Sequence, residues 1–480
     1  MEWMNDVIAA VNDVLWTYIL ITLLIAAGLW FSVKTGFVQI RLLPEMLRLL
    51  TEGAAGRVKE GHISPFQAFC ISTASRVGVG NIAGIAIAVV LGGPGAVFWM
   101  WMIALIGAAS GFVESTLAQL YKVPLPGGGF RGGPAYYIRN VLRAPRAAMF
   151  FAVLISVTYG LIFNSVQANT ISLSLQTAFG WQPLYIGAGI TLFAILLICG
   201  GLTQIARVME WMVPLMAGIY ILTALAVMLA HLSELPSIFA LILTDAWDVD
   251  SLAGGGFGAT VMAGIKRGLF SNEAGMGAVP NAAATADASH PVKQGLLQAF
   301  GVFVDTLLVC SASAFIVLCS GDWATSGLTG IALIQYDLSL FLGDWAAGAL
   351  AVFIILFAFS SIVGNYYYSE INIGFLCADT RVLYGFRVLV GGMIMVGALA
   401  KLELVWNLAD FFMALMAITN IIAILLLFRP VRQALADYCR QRQSGIRHPV
   451  FSASVLGDRT GIVCWQGEHL QELQALQKEK

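Results

Sequence analysis

Charge is what this chain is short of. Only 11% of its 480 residues are Asp, Glu, Lys or Arg, where a soluble domain carries about 25%. The net charge is −1, so no basic surface for nucleic acid is present. Cysteine is sparse and scattered: seven residues, none in a CxxC pair, most of them in apolar runs. They read as small core hydrophobes, neither disulfides nor metal ligands. No HExxH and no close pair of histidines occurs, which leaves metal catalysis without a basis. The glycines of 127-GGGFRGGP-134 are not followed by GK[ST], so they are not a phosphate loop. No nucleophile–base pair is evident either, and an enzyme is not expected. The acidic N-terminus, MEWMNDVIAAVND, lacks the basic start and clear cleavage site of a signal peptide.

Apolar residues are what is there: 59% of the chain, with a mean hydropathy of +0.83. A helix needs about 20 mostly apolar residues to cross the hydrocarbon. Eleven segments qualify: 15–33, 64–91, 96–120, 147–178, 184–202, 208–231, 256–283, 295–320, 345–376, 384–400 and 404–428. The expected fold is therefore an all-α integral membrane protein with 11 transmembrane helices. The connections alternate in charge. Basic residues fill 34–63 (Lys34, Arg41, Arg48, Arg57, Lys59), 121–146 and the tail after 428, whereas 232–255 and 321–344 are acidic (Glu234, Asp245, Asp248, Asp250, Asp322, Asp337). Lys401 alone departs from this. The positive-inside rule then places the N-terminus outside and the C-terminus in the cytoplasm. The stretch 41-RLLPEMLRLL-50 has the spacing of a helix lying along the interface, and the polar tail 429–480 is expected to be soluble.

With residues 1–63 set aside as an extra helix and its interfacial segment, ten helices divide into 64–231 and 256–428, five in each. An odd number per half makes the halves inverted repeats. Each half opens on an interrupted helix. The first contains Gly78-Val79-Gly80-Asn81; the second contains Gly264, Gly268, Gly275, Gly277 and Pro280. Paired interruptions at matching positions are the sequence mark of a transporter's binding site.

Lipid offers no hydrogen bonds, so an unwound backbone must line a polar site. Unwinding at Gly78 and Gly80 frees N–H groups at a half-helix start, which suit a carboxylate. The carbonyls of Ala74 and Val77, at the end of the preceding half, suit Na⁺, and Ser360 and Ser361 supply hydroxyls from another helix. The second break, with Phe270 and Ser271 at its start, offers carbonyls for an ammonium group. Gln167 and Asn365 are amides at membrane depth able to reach a substrate. A small amino acid carried with a cation fits these parts. Arg76, Glu273 and Asp305 lie inside apolar runs, where unpaired charge is costly. The expected pairs are Arg76 with Glu273, and Asp305 with Arg267 or Lys266, serving either as gates or as ties between the halves.

The blocks 75-SRVGVGNIAG-84, 92-GGPGAVFWMWMIALIGAASGF-112, 131-RGGPAYYI-138, 269-LFSNEAGMG-277 and 357-FAFSSIVGNYYYSE-370 resemble those of the alanine/glycine:cation symporters, the sodium:alanine symporter family. The resemblance implies a leucine-transporter-type fold of five plus five inverted helices with two discontinuous helices. It also implies Na⁺-driven uptake of alanine or glycine across the bacterial inner membrane. By motif, residues 77–81 resemble the unwound first helix that holds the substrate carboxylate. Ala74, Val77, Ser360 and Ser361 resemble the sodium site, and Gln167 the substrate-facing amide. Many relatives carry Trp where this chain has Asn365, which leaves serine or glutamine open as substrates and proton coupling open as an alternative to Na⁺. The functional unit is expected to be one chain in membrane lipid, with Na⁺ as coupling ion and no organic cofactor.

Overall fold

The computed structural model describes residues 2–55, 62–125, 128–200, 202–248, 256–467 and 471. Arg57, Lys59, Gly127 and Asp250, and the tail's last residues apart from 471, lie outside them. Nearly everything described is helical, with one two-residue hairpin pairing Val123–Pro124 with Phe130–Arg131.

Apart from a four-residue turn of helix at Val38–Arg41, the α-helices, in chain order, are α1 (Asn5–Lys34), α2 (Leu43–Ala55), α3 (Pro65–Arg76), α4 (Gly80–Gly92), α5 (Gly95–Leu120), α6 (Pro134–Asn140), α7 (Pro145–Phe179), α8 (Pro183–Ile198), α9 (Leu202–Ala230) and α10 (Leu235–Asp245). They continue as α11 (Gly256–Asn272), α12 (Val279–Thr285), α13 (Pro291–Ser320), α14 (Gly330–Leu342), α15 (Trp345–Leu376), α16 (Thr380–Leu399), α17 (Leu402–Leu426) and α18 (Phe428–Gln443). Among the described residues eight of these are long and apolar enough to cross a membrane. A ninth span is the pair α3 and α4, bent by 50°. Two of the eleven expected segments fall short of that measure. One is α8, of 16 residues. The other is the second interrupted segment, where a 17-residue helix carrying Lys266 and Arg267 is followed by a seven-residue one.

The bundle is organised around α5 and α15. α5 packs along α13 and α11, and α15 runs against α7 and α3. Contact is at backbone distance where it matters for the site. A Cβ on Gly364 of α15 would come 2.9 Å from the amide nitrogen of Ser75, so glycine is required for α15 to lie against the end of α3. The start of α3 is fixed by a capping box in which Ser64 accepts from the Gln67 amide and Gln67 accepts from that of Ser64, with Pro65 at the first helical position.

The tail is not a free soluble segment. α18 sets Tyr438 and Arg442 on Glu45 of α2 (2.5 and 3.2 Å). Glu52 of α2 takes Lys293 at 2.8 Å and His448 at 3.1 Å. Farther on, the Phe451 amide donates to the Ser289 carbonyl (3.0 Å), and the Trp465 indole N–H donates to the Gln119 carbonyl at the end of α5 (2.9 Å). Phe451 and Trp465 are both fully buried. Polar composition suggested solvent, but these two rings carry enough apolar area to dock the tail.

Candidate functional site

The first break has a plain origin in the chain. α3 stops at Arg76, and the Gly78 N–H turns back to the Arg76 carbonyl (2.9 Å) instead of reaching Ala74. The Ala74 carbonyl is therefore the first without its helical partner. The Ser361 hydroxyl of α15 takes it, at 2.9 Å. Ser360, one residue earlier, does not join in. Its hydroxyl donates to the Phe357 carbonyl of its own helix (2.7 Å), the local bond that serine makes inside helices.

The N–H groups on the far side of the break are held by neutral amides. Gly78 N–H donates to Asn81 Oδ1 at 3.0 Å, and Val79 N–H donates to Gln167 Oε1 of α7 at 3.2 Å. Neither glycine tolerates a side chain. A Cβ on Gly78 would collide with the Ser361 hydroxyl, and one on Gly80 would sit 2.5 Å from the Phe270 ring. Phe270 itself lies between Phe163 and Trp406, with ring centroids 4.7 Å from each.

Three wide π-helical turns surround this point: Gly80–Gly84 in α4, Thr158–Phe163 in α7 and Phe303–Cys310 in α13. Such turns concentrate at functional sites. The third carries Asp305 into the site. Its carboxylate accepts from Asn81 Nδ2 (2.5 Å), the Ser271 hydroxyl (2.6 Å) and the Thr306 hydroxyl (3.1 Å).

The expected ion pairs are not made. Arg76 donates to the backbone and side-chain oxygens of Gln298 (3.1 and 3.3 Å). Glu273 is met by the Ser75 hydroxyl at 2.8 Å, and that hydroxyl is also 2.7 Å from Asn365 Oδ1. Asn365 in turn donates to Asn164 at 3.0 Å. Arg267 and Lys266 go to Asp410 instead of Asp305, at 2.5 and 3.9 Å. The reason is direction: residues 266 and 267 end on the α17 side of α11, whereas Ser271, one turn on, faces α13.

The second break runs from Glu273 to Ala278, with Glu273, Gly275 and Gly277 all in the left-handed region (φ 56°, 84° and 81°). Its free N–H groups meet Glu114, a residue whose role the sequence pattern did not disclose. Gly275 N–H donates to one carboxylate oxygen (3.1 Å) and Gly277 N–H to the other (3.0 Å). Asn420 adds a third donor at 2.7 Å, while its own oxygen accepts from Tyr137 at 2.5 Å. Glu114 is fully buried. Its only sequence signal was a charge inside the apolar run of α5.

Gly78, Val79, Gly80, Asn81, Gln167, Phe270 and Ser271 thus converge with Ser361 and Asp305, and Asn365 stands one step away through Ser75. A break within an apolar helix pair, flanked by a hydroxyl-bound carbonyl on one side and amide-capped N–H groups on the other, is a transporter's geometry. The model of the sodium:alanine symporter family matches residues 1–453. The chain belongs to that family. It is a multi-pass membrane transporter of the amino-acid symporter kind, and not an enzyme. It is 52% identical over 462 residues to the probable sodium/glutamine symporter GlnT of Bacillus subtilis (strain 168), covering 96% of each chain. It is 40% identical to that organism's putative sodium/proton-dependent alanine carrier protein YrbD, over 98% of this chain and 99% of the relative. The sodium/alanine symporter AgcS of Methanococcus maripaludis is 35% identical, over 88% of this chain and 94% of its own.

Proposed function

We propose that this family member couples inward Na⁺ movement to uptake of small neutral amino acids, alanine and glycine foremost, by alternating access. The observation that carries the reading is the first break. It sets an oxygen pair (Ala74 carbonyl, Ser361 hydroxyl) beside two backbone N–H groups whose side-chain acceptors are both neutral amides. A substrate carboxylate displaces Asn81 and Gln167 from Gly78 and Val79, and Na⁺ takes the oxygens of Ala74, Val77 and Ser361. Arg76, Glu273 and Asp305, the charges flanking the breaks, are the candidates for gating. The architecture that fits is 11 spans, with inverted halves at 64–231 and 256–428, residues 1–63 as the extra helix and segment, 429–480 as a cytoplasmic tail, the N-terminus outside and one chain as the working unit.

The energetics suffice. One Na⁺ crossing ~100 mV gains about 2.3 kcal/mol, and a tenfold Na⁺ gradient adds about 1.4 kcal/mol. Together these concentrate a neutral solute roughly several hundredfold.

A second substrate reading, glutamine, is favoured by Asn365. Together with Asn164 and Ser75 it forms a polar wall able to meet a carboxamide, and the relative at 52% identity is named for glutamine. The test is uptake of labelled alanine and labelled glutamine by proteoliposomes, competed by unlabelled amino acids, with and without an inward Na⁺ gradient. Uptake driven by Na⁺ supports symport, and the competition order ranks the substrates. Equal uptake in Na⁺-free medium, following pH instead, overturns sodium coupling in favour of protons.

A further inference from the structure

We propose that the groove where α1, α17 and α18 meet binds an anionic phospholipid, with Arg429 and Arg432 on its phosphate and the ends of α1 and α17 along its acyl chains. The groove lies apart from both helix breaks, and the site stands whatever amino acid or ion is carried.

The first ground is shape and position. The groove holds about 570 Å³, and its walls include Trp30, Leu425, Leu426, Phe428, Arg429 and Arg432. That volume is within the roughly 300–1,000 Å³ of ligand pockets. Trp30 lies in the last turns of α1, and Leu425 and Leu426 end α17. Both helices are long and apolar enough to cross a membrane, so the groove opens where two spans finish. Trp30 and Leu426 are exposed there, and tryptophan at a span end marks the headgroup level. Phe428 closes the floor. It is buried, with its ring centroid 4.7 Å from that of Trp30 and 5.3 Å from that of Phe31.

The second ground is unpaired charge. Of the four arginines of α18, Arg440 pairs with Asp437 and Arg442 with Glu45. Arg429 and Arg432 are exposed, and among the described residues neither has a carboxylate within 4 Å. The tail carboxylate Asp458 is already engaged: the Thr460 amide and hydroxyl are the first causes of its lowered pKa, ahead of the charges of Arg143 and Arg429. Positions 429, 432, 433 and 436 share one face of α18. They set two guanidiniums side by side, add the Gln433 carboxamide as a donor, and leave the groove open over Ala436.

The third ground is that two chemistries meet in one groove. A planar guanidinium binds phosphate oxygens in pairs. An inorganic phosphate or an acidic peptide would satisfy the arginines and leave the apolar half bare. A zwitterionic lipid would bring an ammonium group to walls that hold no carboxylate. An anionic phospholipid fills both halves, and basic pockets beside membrane helices recognise such headgroups. Because Trp30 and Phe428 join α1 to α18, a lipid lodged there clamps the first helix to the tail helix. Binding to the folded state alone then raises stability.

The experiment uses the full-length protein, stripped of lipid in a neutral detergent. Phosphatidylglycerol or phosphatidylcholine is titrated into the micelles, melting temperature is followed, and native mass spectrometry counts retained lipid. For the wild type, phosphatidylglycerol raises the melting temperature and stays bound, and phosphatidylcholine does neither. Arg432→Gln raises the half-saturating phosphatidylglycerol fraction about fivefold, and the double substitution Arg429→Gln with Arg432→Gln about twenty-fivefold. Arg440→Gln, on the same helix but outside the groove, leaves it unchanged. A double variant with wild-type phosphatidylglycerol response overturns the site, and so does an unchanged Arg432→Gln if the double variant does not fold. A wild-type shift of equal size with phosphatidylcholine, inorganic phosphate or a polyglutamate peptide overturns the lipid assignment.

Discussion

The two broken helices solve the same problem with opposite chemistry. Each leaves a pair of backbone N–H groups buried inside the bundle. At the first break the side-chain acceptors are neutral amides, Asn81 and Gln167, and Gly78 N–H also meets the Arg76 carbonyl. At the second the acceptor is the Glu114 carboxylate, backed by Asn420 and Tyr137. Hydrogen bonds to a charged group are roughly twice as strong as neutral ones. The second break is therefore sealed by the protein's own carboxylate. The first is closed by groups that a ligand's carboxylate can outcompete. A broken membrane helix is not in itself a binding site; what decides is whether its caps can leave.

Several measurements break or sharpen that contrast. The largest effect is expected from Glu114→Ala. It strips two buried backbone N–H groups and an amide of their acceptor, at about 1–3 kcal/mol each, so folded yield and melting temperature should collapse. A Glu114→Ala protein as stable as the wild type would erase the distinction. Next is Gly78→Ala, whose methyl collides with the Ser361 hydroxyl. Uptake should fall to background while the protein remains monodisperse. Gln167→Ala removes one neutral cap and one ligand-facing amide together. It should raise the half-saturating amino-acid concentration about tenfold, the worth of one hydrogen bond, with a loss of melting temperature smaller than that of Glu114→Ala because one buried N–H, not two and an amide, loses its acceptor. Ser361→Ala should raise the Na⁺ requirement several times more than Ser360→Ala, because only Ser361 reaches across to the break. Equal responses would take Ser361 out of the ion site.

The smallest effect belongs to a control far from both breaks. Burial pushes the Glu52 carboxyl up, but Lys293, His448 and Arg48 outweigh it and hold the group down to about 2. A carboxylate with a lowered folded value stabilises the docked tail above its unfolded value of about 4.3. That stabilisation is lost as pH falls from there toward 2. Glu52→Gln should therefore loosen the tail at pH 7, and the difference from wild type should vanish in acid. Hydrogen exchange of the 446–467 backbone reads it.

Much of the site was legible because its residues are anomalous for a membrane helix. Gly78, Gly80 and Asn81 interrupt an apolar run, Gln167 is an amide at depth, and Ser361 lies where a partner to a broken helix is needed. What was not legible depends on direction. Ser360 and Ser361 are neighbours in sequence, yet about 100° of helical rotation separates them, and only one faces α3. Arg76 and Glu273 flank the two breaks, but proximity to a break does not fix where a long side chain points, and Arg76 ends on Gln298. The Glu114 cap joins residues 161 positions apart, which no local pattern encodes. The fold class was readable from apolar length, whereas α8 and the α11–α12 pair fall below what length and composition alone establish.

The tail's docking has a practical side. Beyond α18 the chain ties the loop before α13 to the end of α5 through Phe451 and Trp465. A fluorescent reporter spliced directly after Gln443 would replace those rings with a linker and leave their seats open to detergent. Fused after Gly467, it would leave both rings in place. Reporter brightness from the two fusions would then measure how much of this transporter's shelf life in solution comes from its last strap of chain.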